Sequence, residues 1–262
     1  MKNRILILIL LFCSLKSFAC SCIYNNLAQE YLDADFAGIV TVKKTYDTKD
    51  LRFDNDLKRS TYIAELVFEK LYKGTEFDVL NMYGKATMAN DDDRYFGSCD
   101  LFIQKGERYI IVLKKNSNGE FWGSQCTRLI PLSAEENKVN DNEELINTYS
   151  NLFSNIEKHK KSFSNHIFLN FNDKTLRLND KTNYPESDFT KLNIGKPSEN
   201  VGFYKVVLDE NLKISKIVPI KKVGFRDKEI EKMIKRNLSL NKYDVPQYAS
   251  KEYLLLLSFE DF

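Results

Sequence analysis

The sequence predicts a mainly β protein with α elements. Its parts are an N-terminal five-stranded Greek-key barrel of the OB type with flanking helices, then a C-terminal α+β domain of order ββαβ. Three observations lead there. Segments rich in Val, Ile, Thr and aromatic residues recur between residues 36 and 129, with a helical pattern before and after them. The cysteines left after removal of an N-terminal leader are even in number. The last sixty residues carry two strand patterns, a helix and a final strand. The composition is 43% hydrophobic, 29% charged and 13% aromatic over 262 residues, which is globular and excludes disordered, collagenous and low-complexity classes.

The first element is a leader. Lys2 and Arg4 precede an apolar stretch from Ile5 to Leu15, and Ser17-Phe18-Ala19 places small residues one and three positions before Cys20. This is the pattern of a secretory signal peptide over residues 1–19. Eleven helical residues reach about 16 Å against a bilayer core of roughly 30 Å, and no later stretch is long and apolar enough to span, so no transmembrane segment is expected in the mature chain. The expected location is secreted or in the cell envelope, at the periplasm or cell surface.

Export changes how the cysteines read. Cys13 leaves with the leader, and Cys20, Cys22, Cys99 and Cys126 remain, with three pairings open. An oxidising compartment favours disulfides over zinc or free thiols. Cys20 and Cys22 would lie about 6.5 Å apart on an extended strand, near the limit for a bridge, so each is expected to pair with a distant partner. Lipidation is a competing fate for Cys20, giving a lipoprotein anchored through it. Against it, Ser17 stands where such signals usually have leucine.

The remaining elements follow in order. Leu27, Tyr31 and Leu32 share one face of a short helix. Strands are expected at Phe36–Tyr46, Thr61–Tyr72, Phe77–Tyr83, Arg108–Leu113 and Phe121–Leu129, with a polar loop from Asp47 to Arg59 and a turn at Asn118-Gly119. Closing five strands into a barrel removes exposed edges. Ser133 and Glu136 form a candidate capping box, and Leu145, Ile146, Tyr149, Leu152, Phe153 and Ile156 form one helical stripe, expected to cover a barrel face. The first domain is therefore drawn over residues 20–158.

Residues 159–200 read as a linker with a hairpin of Ile167–Phe171 and Thr175–Leu178. The second domain, 201–262, has strands Phe203–Leu208 and Lys213–Ile220 about the turn Asp209-Glu210-Asn211, a helix capped by Asp227 and running through Leu238, and a strand Glu252–Phe259. Its expected core is Ile230, Met233, Ile234, Leu255 and Leu257.

Charge and chemistry narrow the function. The leader holds Lys2, Arg4 and Lys16 and no acid. Residues 20–150 carry 16 bases against 22 acids, and residues 151–262 carry 20 against 15. The acidic first half argues against nucleic acid, whose binding needs clustered Lys and Arg. His159 and His166 are the only histidines, and both follow the barrel, so no cysteine–histidine or serine–histidine couple is indicated there; both are expected to be solvated. Asp91-Asp92-Asp93 lacks the spacing of a calcium loop, and no phosphate-binding glycine loop appears. No catalytic residue, intrinsic metal or cofactor is expected, and the chain reads as non-enzymatic.

Residues 20–155 resemble the netrin-like domain of the tissue inhibitors of metalloproteinases and its bacterial relatives. The matching features are Cys20-Ser21-Cys22, Ala34-Asp35 with the strand to Val40, Phe68–Gly74, Cys99 after Gly97-Ser98, Gly106-Glu107-Arg108-Tyr109, and Cys126 in the fifth strand after Trp122. The resemblance implies the pairs Cys20–Cys99 and Cys22–Cys126. It also implies a partner: in that family the first residue's amine and carbonyl chelate a protease's catalytic zinc, and the second side chain enters the adjacent pocket, the role that Ser21 would take. An α-amine, with a reference pKa of about 7.7–8.0, loses its proton readily near neutrality. The third disulfide of the animal inhibitors is missing, and Ile23-Tyr24-Asn25-Asn26 replaces their proline-rich segment. Val201-Gly202-Phe203-Tyr204, Asp209–Lys213 and the Asp227 helix more distantly resemble the C-terminal domain of TonB energy transducers. The expected function is binding of another protein, with zinc-metalloprotease inhibition as its specific form through Cys20, Ser21 and Cys22. The alternative is a cell-envelope structural or assembly component whose disulfides serve only as staples.

Overall fold

The computed structural model describes residues 22, 25–48, 52–54, 57–59, 61–86, 100–132, 139–163, 165–174, 177–178, 185–186, 189, 201–240 and 252–258. Two compact units emerge. The first holds Gly38–Leu132 together with the chain up to Tyr24, and the second holds Asn25–Ala37 with Ser133–Phe262.

The first unit is built on a six-stranded mixed sheet. Its strands are β1 (Phe36–Asp47), β4 (Thr61–Lys73), β5 (Val79–Tyr83), β6 (Arg108–Leu113), β7 (Trp122–Gly123) and β8 (Arg128–Leu132), in the order β7-β5-β4-β1-β6-β8. β5 is antiparallel to β4 and parallel to β7, and β8 is antiparallel to β6. Alternation along β4 puts Tyr62 and Ala64 in the core beside Leu80 and Met82 of β5, with Ile39, Val40, Ile110 and Ile111 from the neighbouring strands. The sheet must curl. Laid flat, six strands would separate the edges by about 24 Å, whereas the five Cα steps from Gly123 on one edge to Arg128 on the other span at most about 18 Å.

Three strand expectations change in this unit. The fifth strand, Phe121–Leu129, divides into β7 and β8 because Ser124–Thr127 closes a turn: Thr127 N–H donates to Ser124 O and Ser124 N–H to Thr127 Oγ1, each at 2.9 Å. Cys126 therefore sits in that turn and not in a strand. The third strand begins at Val79 instead of Phe77, where the pairing with Glu65 of β4 starts. The polar loop after β1 contains a short hairpin, β2 (Arg52–Asp54) with β3 (Leu57–Arg59).

The second unit opens with α1 (Leu27–Asp33), whose N-cap Asn26 accepts the Ala28 N–H at 3.0 Å. The stripe predicted further on becomes α2 (Val139–Phe163), with Tyr149, Leu152, Phe153 and Ile156 buried and the Phe153 ring stacked on Tyr31 at 4.4 Å. The candidate capping box at Ser133 and Glu136 lies outside the described residues.

Among the described residues of the hairpin expected at 167–178, the backbone pairs with other chain segments instead. Phe168 bridges Leu254, β9 (Asn172–Asp173) pairs with β14 (Leu238–Ser239), and β10 (Arg177–Leu178) pairs with β11 (Pro185–Glu186). Much of the stretch read as a linker is thus part of the unit. Phe168, buried, meets the rings of Phe163 and Phe203 edge-on at 5.0 and 6.0 Å.

The ββαβ order is present: β12 (Val201–Leu208), β13 (Ile214–Lys221), α3 (Asp227–Asn237) and β15 (Glu252–Ser258), with β12 central and antiparallel to both neighbours. Asp209 Oδ1 closes the β12–β13 turn by accepting the N–H groups of Asn211 and Lys213 at 2.9 Å. All five predicted core residues are buried, against Tyr204, Val206 and Leu208. The helix cap differs from expectation. Arg226, at φ +48°, occupies the N-cap position without a capping side-chain hydrogen bond, while Asp227 is the first helical residue and accepts the Gly224 N–H at 3.1 Å.

Candidate functional site

Of the residues singled out in the sequence, Cys22 and Cys126 meet: a disulfide joins them across 104 positions. The turn that holds Cys126 is braced from within, since Ser124 Oγ accepts the Cys126 N–H at 3.2 Å in addition to the two Ser124–Thr127 bonds. Cys22 is half-buried and Cys126 exposed. The bridge ties the start of the described chain to the short connection between the sheet's two edges. Cys20, Ser21, Cys99 and Asp91–Asp93 lie outside the described residues.

A cleft of about 340 Å³ opens on the β5–β7 side of the same unit, lined by Ile63, Phe77, Val79, Asn81, Lys115 and Phe121. Local chemistry shapes its rim. Asn116 Oδ1 accepts the N–H groups of Asn118 and Glu120 at 2.9 Å, and Gly119 takes φ +79°, so the predicted Asn118-Gly119 turn forms and Lys115 bridges Phe121. Phe121 then faces Phe77 at 4.3 Å between ring centroids, and Phe77 meets Phe68 edge-on at 5.1 Å. Buried Asn81 is held by its Nδ2, which donates to Phe121 O at 3.2 Å. Lys115 Nζ stands 5.3 Å over the Phe121 ring, and Asp78 and Glu120 add carboxylates. Aromatic walls with charges at the rim suit an apolar side chain of a partner. The lining contains no histidine, serine or cysteine. Sequence reasoning missed this cleft because its walls come from segments around residues 63, 77–81 and 115–121; the one local signal was the aromatic pair Phe77 and Phe121 beside turns.

Two polar clusters brace the sheet. Arg108 grips Glu69 with both nitrogens, Nε at 3.0 Å and Nη2 at 2.6 Å, and Thr41 Oγ1 also donates to Glu69. The Arg108 hydrogen bonds hold the Glu69 carboxyl below the usual carboxylate range, opposed by partial burial and aided by Thr41. Tyr62, fully buried, donates its hydroxyl to Leu101 O at 2.8 Å and accepts the Ile103 N–H at 3.1 Å.

The histidines are not the solvated side chains expected. His166 is largely covered, with Nε2 2.9 Å from Glu252 Oε2 and Nδ1 3.2 Å from Phe163 O. The His166 hydrogen bond, then Lys205, hold the Glu252 carboxyl below the usual range. His159 lies 6.0 Å from the Phe203 ring, and burial followed by the charges of Lys158 and Lys221 pushes its imidazolium down. These contacts are with a carboxylate, a backbone carbonyl and an aromatic ring, and neither a cysteine nor a serine takes part in them. Among the described residues no group of three His, Cys, Asp or Glu side chains gathers to hold a metal, and no helix is long and apolar enough to cross a membrane.

No protein-family model matches this chain, and no curated protein matches it.

Proposed function

We propose that this chain is an exported, non-enzymatic protein-binding protein whose first unit is a netrin-like barrel of the OB type, and that it inhibits a zinc metalloprotease through the amine and carbonyl of Cys20. The observation that carries the reading is the Cys22–Cys126 disulfide. It anchors the residue two places after Cys20 to a braced turn of the curled sheet, which lowers the ordering entropy lost when Cys20 and Ser21 engage a partner. A freed α-amine next to that anchor is a zinc donor of a kind that no side chain here supplies. The aromatic cleft gives the same unit a second surface for a partner's apolar side chain.

The test compares the chain beginning at Cys20 with one extended by a single alanine before it, as inhibitors of zinc proteases. Chelation requires that the alanine abolish inhibition. Equal inhibition by both forms, or an acyl group found on Cys20 by intact mass, removes the zinc-directed mechanism and leaves the disulfide as a staple in an envelope component.

A further inference from the structure

The face of α3 turned away from the core carries one kind of exposed charge. Ile230, Met233 and Ile234 point into the core, and on the opposite side Lys228, Lys232 and Lys235 recur at helical spacing, all exposed. Phe225, 44% exposed, stands in the loop just before the helix, three positions ahead of Lys228 in the chain. The acids of this helix are half-buried on its flanks: Glu229 is paired with Arg226, Asp227 accepts the Gly224 N–H, and Glu231 adds a third carboxylate. No ion pair within the described residues engages the three lysines.

Helix stability does not account for this pattern. Lys235, with Arg236, lies in the last turn, where cations complement the helix dipole, but Lys228 lies in the first turn, where a cation is unfavourable. Phe225 leaves an aromatic ring in water. Its neighbours both have left-handed backbone, Gly224 at φ +93° and Arg226 at φ +48°, the latter an uncommon conformation for a side chain of that size. Three local preferences are thus set aside at one place on the surface.

We propose that Phe225 and the Lys228–Lys232–Lys235 stripe form a docking surface for an anionic lipid bilayer. A bilayer interface offers both partners that these exposed groups lack, negative headgroups for the ammonium groups and an apolar layer just beneath for an aromatic ring. The same criterion separates this helix from α2, whose exposed residues mix Glu143 and Glu144 with Lys158 and Lys161. A nucleic acid would use the charges but not a single exposed ring in the loop before the helix.

The test is co-sedimentation of the purified chain beginning at Cys20 with vesicles of phosphatidylcholine alone or mixed with phosphatidylglycerol. Residues outside the patch are common to every form and cancel in the comparison. The wild type is expected to bind the mixed vesicles, more weakly as salt rises, and to leave pure phosphatidylcholine in the supernatant. Changing Lys228, Lys232 and Lys235 together to Gln should lower the partition coefficient about 100-fold, from roughly 1 kcal/mol per cation at an anionic surface. Phe225→Ala should lower it on the order of 10-fold through lost apolar burial. Gln is nearly as good a helix former as Lys, and unchanged thermal unfolding checks the fold of each variant. The triple Lys→Arg form must still bind. Equal binding to both kinds of vesicle, binding indifferent to these substitutions, or absence of vesicle binding overturns the proposal. Capture by heparin that Phe225→Ala leaves intact, without vesicle binding, would instead assign the stripe to an acidic polymer.

Discussion

Tyr62→Phe isolates one hydroxyl that the core of the first unit depends on. The ring is fully buried, its Oη accepts the Ile103 N–H at 3.1 Å and donates to Leu101 O at 2.8 Å, and Ile103 is itself 1% exposed. Burial pushes the phenol well above its ordinary range, so it remains a neutral donor at any working pH. Phenylalanine keeps the ring and deletes both bonds. A buried N–H left without an acceptor costs about 1–3 kcal/mol, and the second bond adds about 1 kcal/mol, so the expected destabilisation is about 3 kcal/mol. The chain has a single tryptophan, Trp122, and it lies in this unit, so its fluorescence reports the first unit without the second. With a slope of roughly 2 kcal/mol per molar urea, the midpoint should fall by about 1.5 M with the slope unchanged. A shift below about 0.5 kcal/mol, the scale of an ordinary surface substitution, would refute the reasoning. The control is Tyr253→Phe: that hydroxyl is buried without a hydrogen-bond partner among the described residues, so its removal should leave the far-UV unfolding curve in place or move it upward.

Replacing Cys22 and Cys126 together by Ala should destabilise the first unit by up to about 4.7 kcal/mol, the chain-entropy value for a loop of this length, as read by Trp122 fluorescence. A midpoint equal to that of the wild type under oxidising conditions would show that the bridge does not hold the fold. The Glu69 carboxyl has its folded pKa below the unfolded value of about 4.3, so the Arg108 grip stabilises above that value and is lost as pH falls through the folded pKa. Arg108→Gln should raise the Glu69 titration midpoint seen by carbon NMR and reduce the acid-range loss of stability; an unmoved midpoint would assign the shift elsewhere. Gly202→Ala would place a Cβ 2.6 Å from Tyr204 Cε2 and 3.0 Å from Val223 Cγ2, and the crowding should destabilise the second unit by about 1–3 kcal/mol in circular-dichroism melts. A neutral effect would mean that the Tyr204 ring is free to move aside.

What the sequence determined by itself was each element whose pattern follows from being buried on one side. Arg108–Leu113 forms over the residues expected, the stripe through Tyr149, Leu152, Phe153 and Ile156 lies inward on α2, and Ile230, Met233, Ile234, Leu255 and Leu257 meet in one core. Such periodicity is local, and one chain segment suffices to read it. Pairing is different, because a strand's residues do not say which distant backbone will satisfy them. Phe121–Leu129 reads as one strand in spite of Gly123-Ser124, yet β7 pairs with Asn81 and Met82 while β8 pairs along Arg108–Val112, with a turn between them. Asn172–Asp173 likewise pairs with Leu238–Ser239 beyond an intervening sheet and helix. The cleft between Phe77 and Phe121 and the His166–Glu252 contact exist only because separate segments converge. Burial of apolar area chooses the faces, and closure of long loops onto particular hydrogen-bond partners chooses the neighbours.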